Sequence, residues 1–64
     1  MKTVDFCLFV TETFADAELK VIMLKELERR GYSCFALTTS EAADRVFRKA
    51  GLSNFQNLEK IKSQ

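Results

Sequence analysis

The sequence predicts a single small α/β domain over residues 1–64, a minimal β-α-β-α unit with a small parallel sheet and a short C-terminal helix or strand. Three observations lead there. Two short runs rich in β-branched, aromatic and aliphatic residues, 3–10 and 32–38, read as strands. Each is followed by a segment whose apolar residues recur at three and four, as on one face of a helix. Both segments stop at the chain's only glycines, Gly31 and Gly51. Strands that alternate with helices imply a parallel sheet with right-handed crossovers.

In the first run, Phe6-Cys7-Leu8-Phe9-Val10 is apolar at every position. An unbroken run of this length suggests a strand covered on both faces, as in most parallel sheets. Thr11-Glu12-Thr13 breaks it, and a helix is expected from Ala15 to Arg30, with Ala17, Val21, Leu24 and Leu27 on its inner face. Asp16–Lys20 and Glu26–Arg30 are acid-before-base pairs at i,i+4, each adding ~0.2–0.5 kcal/mol. Arg29 and Arg30 suit the negative end of the helix dipole. The second strand, 32–38, leads to Thr39 or Ser40 as a cap for a second helix, whose stripe is Ala43, Val46, Phe47 and Ala50. Two readings of the tail compete. Ser53-x-x-Gln56 fits a capping box for a short helix, the favoured reading, while residues 54–61 could equally hold a third strand.

Composition narrows the function classes. The chain is 47% hydrophobic and 30% charged, with no proline, which is the balance of a folded globule with little linker. Ten basic against nine acidic residues argue against binding nucleic acid or an anionic membrane through charge alone. The longest apolar runs fall far short of the ~20 residues that span a bilayer, and Asp5 interrupts what would have to be a signal region, so a cytoplasmic protein is expected. The absence of histidine removes the commonest general base and metal ligand. Cys7 and Cys34 lack C-x-x-C spacing and are expected as free, packed thiols in a reducing compartment. Asp5 lies at the wrong end of its strand for catalysis, and no nucleophile–base pair can be assembled. The expectation is therefore no autonomous enzyme, no metal and no cofactor.

Ligands of open α/β sheets gather at the carboxyl ends of the strands. That rim holds Thr11, Glu12 and Thr13 after strand one and Thr38, Thr39 and Ser40 after strand two. These six are the candidate ligand contacts, although hydroxyl residues are also the ordinary caps of such turns. Neither loop contains glycine, and Glu12 would repel a phosphate, so a nucleotide cradle is not expected. Arg45, Arg48 and Lys49, with Lys60, Lys62 and Phe55, outline a basic patch and thus a nucleic-acid reading. Glu41, Asp44 and Glu59 are interleaved with it, as on a solvated helix face.

Size points to a partner. A chain this short buries only about 60% of the surface its unfolded form exposes, and such a core rarely supplies more than ~3–5 kcal/mol unaided. Leu19, Ile22 and Met23 lie off the main stripe of the first helix and are the candidate interface residues, for a homodimer or another protein. The expected function is a small self-associating binding or regulatory module. A piece of a larger domain is the other way to complete the core.

Residues 8–52 resemble the opening β-α-β-α unit of two-domain Rossmann-like glycosyltransferases. The likeness runs through Leu8-Phe9-Val10-Thr11, the stretch from Leu24 to Tyr32 that includes Arg29-Arg30-Gly31, the stretch from Phe35 to Val46, and Ala50-Gly51-Leu52. It implies a Rossmann-like unit forming the acceptor side of a cleft, with the Thr11–Thr13 and Thr38–Ser40 rim contacting a sugar or nucleotide once a second domain completes it. The family's first loop usually carries a Gly-His pair, where this chain has Thr11-Glu12-Thr13-Phe14.

Overall fold

The computed structural model describes residues 3–62, with side chains through residue 60. Lys62, placed in the basic patch above, has its side chain outside the described residues. Six elements follow one another: β1 (Phe6–Phe9), α1 (Phe14–Arg29), β2 (Cys34–Thr38), α2 (Glu41–Lys49), β3 (Phe55–Asn57) and α3 (Leu58–Lys62). The tail thus contains both competing elements, a three-residue strand and then one turn of helix. The three strands form one parallel sheet in the order β1-β2-β3.

Local chemistry sets the element ends. Thr13 caps α1, its Oγ1 accepting from the Asp16 amide at 3.2 Å, and Ser40 caps α2 by accepting from the Ala43 amide at 3.1 Å. Both helices end alike. Gly31 N–H donates to the Glu28 carbonyl and Tyr32 N–H to that of Leu27; Gly51 N–H donates to Arg48 and Leu52 N–H to Phe47. These are paired Schellman closures, and they need the left-handed backbone that Gly31 (φ 96°) and Gly51 (φ 82°) adopt.

Parallel register decides which residues share a face. Phe6 lies beside Cys34 and Leu8 beside Ala36, with Phe55 on the far side of Ala36. These residues, with Val10, point toward the helices. The core gathers Val10, Cys34 and Ala36 with Ala17, Val21 and Leu24 of α1 and Ala43 and Phe47 of α2, while Leu8, Leu27, Leu52 and Phe55 pack around it. Phe47 and Phe55 meet with ring centroids 5.3 Å apart. Both crossover helices therefore lie on one side of the sheet. The unbroken apolar run of β1 had suggested cover on both faces. Instead β1 is an edge strand with one covered face, because two right-handed crossovers that step the same way across a sheet put both helices on the same side.

Candidate functional site

At the carboxyl ends of the strands, the two loops come together as expected. Thr39 Oγ1 donates to the Val10 carbonyl at 3.2 Å, and Ser40 Oγ donates to that of Glu12 at 3.4 Å. The remaining hydroxyls of the rim also have internal partners. The Thr11 amide and Oγ1 both donate to Asp16 Oδ2, at 2.8 and 3.0 Å, while Thr13 and Ser40 cap their helices. Lys20 Nζ closes on the other oxygen of Asp16 at 2.8 Å. This Lys20 contact, followed by the Thr11 amide, holds the Asp16 carboxyl down to about 2. Thr11, Glu12 and Thr13 are exposed, Thr39 and Ser40 half-buried, and Thr38 fully buried. The Thr11, Thr13, Thr39 and Ser40 hydroxyls hold the two turns, while Glu12 takes part through its backbone carbonyl and Thr38 turns inward.

Below the rim lies a buried polar network. Asp44, 1% exposed, accepts through Oδ1 from Thr38 Oγ1 and through Oδ2 from Asn57 Nδ2 at 2.9 Å. Lys60 Nζ stands 3.6 Å from the same Oδ2 and 3.5 Å from Glu41. Asn57 Oδ1 in turn accepts from the amides of Glu59 and Lys60 and so caps α3. Each buried polar side-chain atom among the described residues has a partner, and the network ties β2, α2, β3 and α3 into one unit. By sequence Asp44 is one of several acids on a solvated helix face; the tertiary fold makes it interior. Arg48 pairs with Glu41 at 2.8 Å, so Arg48 and Lys60 of the basic patch are committed to acids. The Phe55 ring is engaged with Phe47.

The opposite face of the sheet is different in kind. Cys7 and Phe9 lie beside Phe35 and Leu37, with Gln56 next to Leu37, on the side that α1 and α2 do not reach. Phe9 is 56% exposed, Cys7 is exposed, and Phe35 and Leu37 are half-buried by their neighbours but stand outside the core cluster. These five positions carry no charge.

The family models, curated proteins and solved structures compared with this chain give no match.

The two cysteines occupy opposite faces, because Cys34 is level with Phe6 and Cys7 is level with Phe35. Both are free, Cys34 buried and Cys7 exposed. Burial, then the nearby carboxylates of Glu28 and Asp5, pushes the Cys34 thiol up. The expected interface residues of α1 are exposed, Leu19 by 52%, Ile22 by 66% and Met23 by 38%. The open sheet face was not read from sequence. The available signal was the alternation of Phe35 and Leu37 with the smaller Cys34, Ala36 and Thr38, which separates two unlike faces. Among the described residues no three cysteine or carboxylate side chains converge to hold a metal, and no helix is long and apolar enough to cross a membrane.

Proposed function

We propose that this chain is a small self-associating module in which a second copy covers the open face of the sheet. The carrying observation is the uncharged apolar face of Cys7, Phe9, Phe35 and Leu37. α/β sheets ordinarily bury both faces, and exposed patches of this kind mark association sites. Two further features support a second copy. A neutral patch meets its own image without like-charge repulsion. The molecule is also a slab, 32 by 28 by 17 Å, whose broad side has an upper limit of roughly 900 Å², enough to contain the ~800 Å² per partner of a stable interface. Stacking two sheets face to face gives a four-layer α/β/β/α arrangement with both helix layers outward.

Light scattering over a dilution series, with thiol labelling on the same samples, tests this reading. A dimer is expected whose Cys7 becomes protected as it forms, and Leu37→Lys should return it to a monomer with a reactive Cys7. A monomer at all concentrations, or a dimer with Cys7 still reactive, would overturn it.

The sheet topology supports a second reading. Strand order β1-β2-β3 with both crossovers on one face is one half of a doubly wound sheet. The other half would pair with the free edge of β1 and cover the same face. On that reading the chain is a glycosyltransferase-like piece whose rim serves a sugar or nucleotide when completed. It predicts a weakly folded monomer that binds apolar dyes through the open face.

A further inference from the structure

On the side of the molecule away from the open sheet face, α1 and α2 lie next to each other and leave a groove of about 500 Å³ between them. Its floor is apolar, made by Val21 of α1 with Val46 and Ala50 of α2. The α1 wall adds two large apolar side chains in contact with solvent, Phe14 (57% exposed) and Ile22 (66%). Phe14 and Ile22 are eight residues apart, so the groove runs about 12 Å along the helix, or two to three turns.

Charge is distributed unevenly across it. Glu18 stands on the α1 wall, and Arg45 and Lys49 stand on the α2 wall. Among the described residues none of these three makes an ion pair, whereas Asp16, Glu26, Glu41 and Arg48 all do. Arg45 and Lys49 are i,i+4 neighbours, spaced like one turn of a helix laid beside them.

From this we infer that the groove docks an amphipathic helix of another protein. Its apolar side chains at i, i+3 or i+4 and i+7 fill the floor. Two carboxylates one turn apart on one flank meet Arg45 and Lys49, and a basic residue on the other flank meets Glu18. An apolar stripe entering such a groove supplies affinity, and the flanking charges fix orientation and partner choice. A second copy fits less well. The apolar outer surface of α1 brings one acid without a side-chain partner, Glu18, because Asp16 and Glu26 are held by Lys20 and by Arg29 and Arg30, and Glu28, at the far end of the helix, accepts from Asn54 Nδ2. One of the two cations would then be left unmatched.

The test is a titration of the isotope-labelled full chain with two synthetic amphipathic helices that share a leucine stripe. One carries a Glu pair at i,i+4 on the flank facing α2 and Lys on the other flank; in the second these charges are exchanged. The acidic-flank peptide should shift the amides of residues 14–22 and 45–50 and bind roughly tenfold more tightly than its counterpart. Arg45→Glu with Lys49→Glu should reverse that preference. Both positions are exposed, so circular dichroism should confirm an unchanged fold. Equal affinity for the two peptides, shifts confined to the open sheet face, or no binding would overturn the inference. So would a dimer that is broken by Glu18→Lys and restored by adding the Arg45→Glu and Lys49→Glu changes, since that would give the groove to a second copy.

Discussion

Replacing Asp44 with alanine should bring the chain to the edge of unfolding, although Asp44 touches neither proposed surface. Its carboxylate is 1% exposed and accepts from two buried donors, Thr38 Oγ1 and Asn57 Nδ2. After Asp44→Ala, Thr38 retains only a long 3.4 Å contact to the Gln56 carbonyl, and the side-chain amide of Asn57 loses its acceptor. Each buried donor left without a partner costs about 1–3 kcal/mol, and the Lys60 contact is lost as well. A total of about 3 kcal/mol, within a range of about 2–6, is comparable with the ~3–5 kcal/mol available to a core of this size. Asp44→Asn should lose about half as much, since its carbonyl still accepts one of the two bonds. Urea unfolding followed by circular dichroism at a fixed protein concentration measures all three proteins. A sloping transition without a native baseline is expected for Asp44→Ala. A variant within ~0.5 kcal/mol of the parent, the range of an ordinary surface change, would refute the reasoning and make the network incidental.

Acid should weaken the fold in a defined window. The folded carboxyl of Asp16 is held down to about 2, against 3.8 for an ordinary aspartate, so its contribution is complete above about pH 4 and is lost as pH falls toward 2. Glu26 and Glu41 shift in the same direction, chiefly through Arg29 and Arg48 respectively; thermal melts of Asp16→Asn should show a flatter loss between pH 4 and 2 than the parent. Gly31→Ala and Gly51→Ala should each destabilise by about 1 kcal/mol, because each forces a side chain into left-handed backbone. Nothing lies within 4 Å of either added methyl, so a much larger loss in a denaturant titration would contradict this account. With dilute protein, a thiol reagent should modify Cys7 rapidly and Cys34 only on unfolding, as buried Cys34 is also held in its less reactive protonated form. Two equally fast thiols would disprove the opposite-face placement.

The sequence made the architecture legible because the informative signals were local. Thr39 or Ser40 as the cap of the second helix, Gly31 and Gly51 as stops, and the Ala17-Val21-Leu24 stripe each depend on neighbours within a turn or two; of the two cap residues the structure uses Ser40. The tail was ambiguous because Phe55, Leu58 and Ile61 are spaced by three, which neither period explains; strand and helix occupy it in succession. The burial of Asp44 is illegible for a different reason. Nothing near it in the sequence reveals that Thr38 and Asn57 converge on it from two strands. The open face stayed hidden because an all-apolar run such as Phe6–Val10 does not say whether one face or two will be covered. That depends on the direction in which each crossover steps, a property of the whole sheet. The hydroxyls of the candidate rim cap or bridge its turns in the structure, and residue type alone cannot tell a ligand contact from a cap.

The linkage through Asp44 and Asn57 also bears on how the molecule breathes. A terminal single-turn helix behind a three-residue strand would ordinarily fray, exchanging its amide hydrogens almost as fast as a free peptide. Here the amides of Glu59 and Lys60 are held by Asn57, Asn57 by Asp44, and Asp44 by Thr38 at the end of the central strand. Releasing the tail therefore means opening a buried contact of the sheet itself. Protection of those two amides should follow that of β2, so this last turn reports on the integrity of the whole sheet.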